Sequence, residues 1–494
     1  MASTATKRRR AAKKSRQTQV SAPKSPSGKN RVGATRYDAL NDRNLQDHWR
    51  WVDSRSVDAS LDAGTRRRLR ERARYEVANN SYAFGCGLAV ANAVVGSGPR
   101  VQILSDLSRD ETSRAEWAFS EWSDEINLAE KLRSMRFARF QDGESFGVLH
   151  TNLRLRTLVK LDLRPIDCER VSGVYDSTAP NDVDGIKLDK FGNPVSYRVL
   201  TRHPGDAIDL SDGAQFIEEA VEYPARSVVH WYRRNTAEQH RGVTELAASL
   251  NLFALLRRFT LAVVTAAETA ADFAAIMYTD APNDVQDATP FETFDIERGL
   301  MMTAPEGWKV GQLKSEQPTT TYSEFKRELL GEIGRSLQIP VNIIMGDSAR
   351  YNYASGRLDH QEFQKAIRID QAQCARSVMR PIFREWWREY ALANELEPEL
   401  VRKTPFAVFY WDGFEHVDPV KEANAQAIRL NALTTNLSIE YGKQGRDWED
   451  ELQQIARERQ KMRELGLDVP SVARSIVDSP DADPASERDS VEDS

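Results

Sequence analysis

Apolar residues recur at helical spacing along most of this chain, and short β-rich runs replace them in two places. Leu69, Ala73, Val77 and Ala78 form a stripe that predicts a helix from Thr65 to Tyr82. Arg66, Arg67, Arg68, Arg70, Arg72 and Arg74 fall on its remaining surface, as a solvated face or a subunit contact. The tract Val94-Val95-Gly96-Ser97-Gly98-Pro99 breaks the pattern, and helices are expected again from Asp110 to Trp122 and from Leu128 to Phe140. Between Gly143 and Tyr232 the runs are short and β-rich, as at Phe146–Leu149 and Val195–Leu200. Asp189-Lys190-Phe191-Gly192-Asn193-Pro194 predicts a hairpin connection, because Gly and Asn accept left-handed backbone angles and Pro blocks the ladder.

A long helix rich in Ala, Leu, Val and Phe is expected from Val243 to Ala275, apolar on more than one face and therefore covered inside a core or an assembly. A second β-rich insert, Met277 to Leu313, carries the turns Ala281-Pro282-Asn283-Asp284 and Ala304-Pro305-Glu306-Gly307. Thr321 and Glu324 then form a capping box for a helix whose seam is Phe325, Leu329, Ile333 and Leu337. Pro340 ends that helix, since it disfavours helical angles at Ile339 and has no N–H to donate. A further helical stretch is expected from Leu358 to Leu396, with Pro381 as a kink and Phe383, Trp386, Trp387 and Tyr390 as an aromatic anchor. Pro405 to Tyr410 reads as a strand and Asp418-Pro419 as a helix start. Asp447 caps a closing helix, with acids at its N-terminal end, bases toward its C-terminal end, and Leu452, Ile455, Met462 and Leu465 on one side.

Composition narrows the class. With 494 residues, 40% of them hydrophobic, the chain can build a sizeable core and two or three units. Arg257, Arg258, Glu268 and Asp272 interrupt the most apolar region, so no membrane span is expected, and the N-terminus lacks the apolar run of a secretory signal. Three scattered cysteines fit a reducing compartment better than a disulfide framework. The net charge of −6 hides a polarity: residues 1–36 carry eleven Lys and Arg and no acid, which leaves −17 on residues 37–494. The basic arm and the acidic last 27 residues both read as disordered, with order expected from Tyr37 and Trp49 and Trp51 as anchors. The arm can contact phosphates without reading bases, although a solvated tail is its plainer reading.

Catalytic constellations are missing from the sequence. It holds no Gly-x-x-x-x-Gly-Lys-Ser/Thr phosphate loop and no His-Glu-x-x-His helix, and its seven histidines never fall at ligand spacing. Gly96-Ser97-Gly98 is a turn rather than a nucleophile elbow. Asp182, Asp184 and Asp189 lack EF-hand spacing and read as an acidic turn. No catalytic residue, metal or cofactor is expected, and an enzymatic role such as a nuclease is the competing reading, carried by the arm and the many acids.

Several tracts together resemble the lambda family of phage portal proteins, over roughly Tyr37 to Leu465. They are Val94-Val95-Gly96-Ser97-Gly98, Gln141-Asp142-Gly143-Glu144-Ser145-Phe146, Gly185-Ile186 through Asp189 to Gly192, Gln239-His240-Arg241-Gly242-Val243, and Gly346 to Arg357. The resemblance implies an α+β, mainly α, portal-type subunit with wing, stem, clip and crown regions and disordered termini. It implies a ring of twelve copies at a capsid vertex of the virion, where a head–tail connector passes double-stranded DNA during genome packaging and ejection. Assembly would take place in the host cytoplasm. Implied partners are DNA without sequence specificity, the terminase large subunit, the major capsid protein and a head-completion protein, and no membrane. Mapped onto this chain, 1–36 is the arm, 37–242 the wing, 243–275 a stem helix, 276–318 the clip and 319–340 the second stem helix. Residues 341–356 become the channel loop, 357–418 the long wing helix and strand, 419–466 the crown and 467–494 the acidic tail. Arg350, Tyr351, Asn352, Tyr353 and Arg357 are then candidates to touch the DNA backbone, with Pro340, Gly346 and Gly356 as loop hinges. A minor capsid component is the other structural reading.

Overall fold

The computed structural model describes residues 54–105, 107–173, 181–206, 219–271, 275–279, 308–312, 322–349, 352–413 and 419–467. The chain divides into two units, Met1–Arg55 and Ser56–Ser494, and all the elements named below belong to the second. The arm, Trp49, Trp51, Thr321, Asp418, the two Ala-Pro turns and the acidic tail lie outside the described residues.

Three helices open the second unit: α1 (Val57–Ser60), α2 (Ala63–Asn79) and α3 (Ser81–Val95). The single helix expected from Thr65 to Tyr82 is two, because Asn80 leaves helical angles and its side chain accepts the Tyr82 N–H to cap the next helix. Gly96, at φ 55°, closes α3, and β1 (Arg100–Leu104) follows. A reciprocal capping box between Ser108 and Glu111 starts α4 (Arg109–Glu125), and α5 (Leu128–Asp142) runs directly into the sheet.

Strand β2 (Glu144–Thr151) pairs antiparallel with β3 (Leu161–Ile166). The strands β4 (Asp182–Val183), β5 (Ile186–Leu188), β6 (Pro194–Leu200) and β7 (Ala220–Pro224) form a separate antiparallel meander. Asp189 closes its predicted hairpin by accepting the Phe191 and Asn193 N–H groups, with Gly192 at φ 79°. Strand β8 (Val228–Tyr232) returns to the free side of β2, so the order is β3-β2-β8. Residues Glu144 to Leu149 are all buried because β2 separates two cores. Phe146 and Val148 face the meander while Leu149 faces the helices, as strand alternation requires.

Helix α6 (Leu250–Ala271) begins seven residues later than the expected Val243, since Thr244 to Ser249 is used in turns. Its end is also earlier, as β9 (Ala275–Thr279) pairs antiparallel with β10 (Trp308–Gln312). Leu250, Phe253, Leu256 and Val263 of α6 are buried, whereas Leu255, Leu261 and Val264 are exposed. Contrary to the expectation that its charges exclude a span, Leu250–Glu268 is apolar enough to cross a membrane by length and composition, with a mean hydropathy of 1.5. Side-chain packing places it beside other helices: Arg257 lies over the Tyr75 ring of α2, and Phe259 is 4.7 Å from Phe325 of α7 (Tyr322–Leu337).

After α7 come α8 (Val341–Met345) and α9 (Tyr353–Cys374). A π-helical turn, Ala375–Met379, leads into α10 (Arg380–Ala393), where Pro381 occupies the first turn. Proline lacks the N–H and crowds the carbonyl four residues back, which is where the wide turn sits. The expected aromatic anchor is the centre of the main core, with Trp386 5.0 Å from Phe119 and stacked at 4.9 Å on Tyr390. The indoles of Trp122 and Trp387 donate to the carbonyls of Leu161 and Leu400. Past α11 (Pro398–Arg402), β11 (Phe406–Tyr410) pairs with β1 and so ties the end of the body to its beginning. Helices α12 (Pro419–Asn431), α13 (Leu437–Lys443) and α14 (Trp448–Glu464) complete the described chain, and Asp447 caps α14 as expected.

Candidate functional site

The tracts Gln141–Phe146, Gly185–Gly192 and Gln239–Val243 are far apart in sequence, and the fold brings them to one point. Glu144, the first residue of β2, is fully buried. Its Oε1 accepts from Arg70 Nη2 at 2.8 Å and from Arg241 Nη2 at 2.7 Å. Its Oε2 accepts the Gly242 N–H at 2.9 Å and lies 3.1 Å from His230 Nε2. Arg241 extends the cluster to Asp184, which Arg66 binds at 2.6 Å, and Arg74 grips Asp142 at 2.7 Å and Asp167 at 3.0 Å. Burial by itself would raise the Glu144 pKa, but the charges of Arg241 and Arg70 and the His230 hydrogen bond hold it well below the usual carboxylate range. Burial pushes the His230 pKa down, against the raising effect of Glu144.

This cluster corrects the surface role expected for the arginine helix. Arg66, Arg70 and Arg74 recur every four residues and so share one face of α2, turned inward, while Arg67, Arg68 and Arg72 are exposed. The spacing was available in the sequence; the acids that receive the three guanidiniums, 68 to 118 residues away, were not. Backbone crowding locks the same joint. A Cβ on Gly143 (φ 94°) would lie 2.2 Å from the Val243 carbonyl carbon, and one on Gly242 would lie 2.2 Å from the Gly143 oxygen.

A second buried network lies one turn back along α5. Arg136 and Arg139 both bind Asp370 of α9, at 2.7 and 2.6 Å, and both bind Glu245, at 3.1 and 3.2 Å. Glu245 lies just before α6, so the two arginines tie the approach to α6 to the C-terminal end of α9.

Between those helices lies the break predicted at Pro340. Gln338, at φ 59°, ends α7, and Pro340 is the N-cap of α8 rather than the start of a long loop. Gly346 closes α8 in the left-handed conformation, at φ 63°. Asn352 caps α9 by accepting the Ser355 N–H at 2.8 Å, so Tyr353, Gly356 and Arg357 belong to the first turns of that helix. Gly356 donates its own N–H to the Asn352 carbonyl. Arg350 and Tyr351 lie outside the described residues. The segment 341–356, expected as a loop, therefore holds helix at 341–345 and again from Tyr353 onward.

The model of the family described as phage portal protein, lambda family, matches residues 42–371. The chain belongs to that family. The match contains the Glu144 hub, the Arg136–Asp370 network and the break between α7 and α9. A probable portal protein of Halomonas phage phiHAP-1 is 23% identical over 300 residues, covering 58% of this portal-family chain and 56% of the relative, so the chain spans about half that relative's length. A chain from the neck of an empty GTA particle computed with C6 symmetry is 14% identical with a TM-score of 0.43, over 85% of this chain and 96% of that one. One from the neck of a native GTA particle computed with C12 symmetry is 13% identical with a TM-score of 0.38, over 74% and 88%. Among the described residues of this portal-family chain, no group of three His, Cys, Asp or Glu is placed to hold a metal.

Proposed function

We propose that this chain is a structural, non-catalytic subunit of a portal ring at a capsid vertex of a phage virion. The ring, of about twelve copies, forms the channel for double-stranded DNA and the docking site for terminase, the major capsid protein and a head-completion protein. Membership of the portal family over residues 42–371 carries the proposal. Exposed apolar side chains on α6 support it: Leu255, Leu261 and Val264 are each about half exposed, which suits cover by a neighbouring copy. A closed ring joins two different patches head to tail, so an apolar face left bare on one copy is what such assembly uses. In this reading α6 and α7 are the stem helices and the β9–β10 segment is the clip. The sheets with α2–α5 and α9–α10 form the wing, and α12–α14 form the crown.

The channel segment is then the stretch between α8 and α9 together with the first turns of α9, with Arg350, Tyr351, Asn352, Tyr353 and Arg357 as the groups that touch the DNA backbone. DNA must slide, so a few polar side chains in an otherwise acidic body avoid the strong phosphate attraction that would hold it. Negative-stain microscopy with native mass measurement tests the ring. A particle that stays monomeric at every salt concentration, with no axial hole, would overturn the proposal. Shortening residues 347–352 should leave rings intact while packaged DNA slips out; normal genome retention would reduce the loop to a connector.

A further inference from the structure

The Arg136–Arg139 network has a hydrogen-bond imbalance beside a cavity. Asp370 accepts from Arg136 Nε and Arg139 Nη1, and both oxygens of Glu245 lie against the same two guanidiniums. Three of the four carboxylate oxygens accept a hydrogen bond, while Glu245 Oε1 and Arg139 Nε, paired as ions at 3.2 Å, make none. Arg136 Nη1 remains enclosed without a hydrogen-bond partner, on a residue only 3% exposed. A guanidinium donor buried without an acceptor is costly, because its hydration has been removed and not replaced. Arg136 and Arg139 line a cavity of about 100 Å³, together with Arg233, Gln338 and Gln373. The lining holds three arginines against two carboxylates, Glu245 and Asp370, and so carries one excess positive charge.

We propose that this cavity is an oxyanion site, holding a small tetrahedral or planar anion against Arg136 Nη1 and Arg233. Its volume admits phosphate, sulfate or a single carboxylate. Arginine suits the task, since its planar fork presents paired donors to oxyanions and keeps its charge when buried. The bound anion would brace α5, α9 and the approach to α6 together, at the base of the α7–α9 break. The same oxyanion chemistry could be supplied by a free ion or by a carboxylate of a second copy.

Thermal unfolding of the full chain in rising inorganic phosphate, against sodium chloride at matched ionic strength, tests the site. The expected result is a saturable rise in midpoint on the order of a few degrees with phosphate alone. Arg233→Gln, an exposed position that should leave folding intact, should raise the half-saturating phosphate concentration roughly tenfold, as for one lost charge-assisted hydrogen bond. Arg136→Lys should abolish the response. Equal shifts in phosphate and chloride, or a phosphate response unchanged by Arg233→Gln, would overturn the proposal. Native mass measurement separates the two sources: phosphate that dissociates assembled copies identifies a neighbour's carboxylate, and phosphate that binds without changing the mass distribution identifies a free ion. The site stands apart from the portal reading, since a phosphate response in the monomer needs no ring.

Discussion

Glu144→Gln is the sharpest perturbation of the joint between the sheets and the helices. The amide keeps the carboxylate's shape but removes the negative charge that offsets Arg241 and Arg70, whose side chains are 1% and 6% exposed. It also places an NH2 group against donors, since Arg70, Arg241 and the Gly242 N–H all point at this side chain. Breaking a buried ion pair from one side costs about 3–5 kcal/mol, because the remaining charge stays buried and unpaired. Against a typical folding stability of about 5–15 kcal/mol, a loss of roughly 4 kcal/mol is severe. Urea unfolding at pH 7.5 and fixed protein concentration would measure it, with Lys187→Ala as the control. Lys187 pairs with Glu222 at 2.8 Å, but both are about half exposed, so that change should cost under ~1 kcal/mol. In a double-mutant cycle, Glu144→Gln and Arg70→Met should couple by roughly 0.5–3 kcal/mol. A Glu144→Gln midpoint shift no larger than that of Lys187→Ala would refute the view that the hub holds the joint.

Gly143→Ala should prevent soluble folding, because its Cβ would meet backbone at 2.2 Å and its φ of 94° disfavours a side chain; a soluble protein with an unchanged urea midpoint would contradict this. Acid should destabilise the chain in two steps, followed as urea midpoint against pH. The folded pKa of His230 is depressed, so below about pH 6.5 the unfolded chain takes up a proton that the native one refuses, and stability falls. The folded pKa of Glu144 is also depressed, so its contribution is present above about pH 4.3 and is lost as pH falls toward the folded value. His230→Gln should flatten the first step and leave the second. Glu116 runs the other way: burial, with Asp447, Asp450 and Glu449 nearby, pushes its pKa up to about 7, so its stabilising contribution is lost as pH rises through that value. Glu116→Gln should therefore raise the unfolding midpoint at pH 8 and change it little at pH 5. Leu261→Asp on the bare face of α6 should leave the monomer's midpoint nearly unchanged and block assembly in native mass spectra.

Local signals carried much of the fold. The turn at Gly96, the hairpin at Asp189–Pro194, the cap at Asp447 and the aromatic anchor on α10 are each set within a few residues by backbone angles, side-chain caps or periodicity, and the structure has each of them where the sequence puts it. Element ends were less legible, because they depend on neighbours: α6 waits until Leu250 while the residues before it serve the ionic joint, and Asn80 splits a helix whose stripe looked continuous.

The sequence by itself determined that this is a mainly helical chain with two β-rich inserts, an acidic body and a break at Pro340. Its short tracts also resembled one family. Only the tertiary structure decided what those tracts do. Glu144, Arg241, Arg70 and Asp184 are ordinary charged residues in the one-dimensional pattern, where charge reads as surface. They become a buried joint because a long-range fold takes them out of water together, and a charge is stable there only when its partners arrive from elsewhere in the chain.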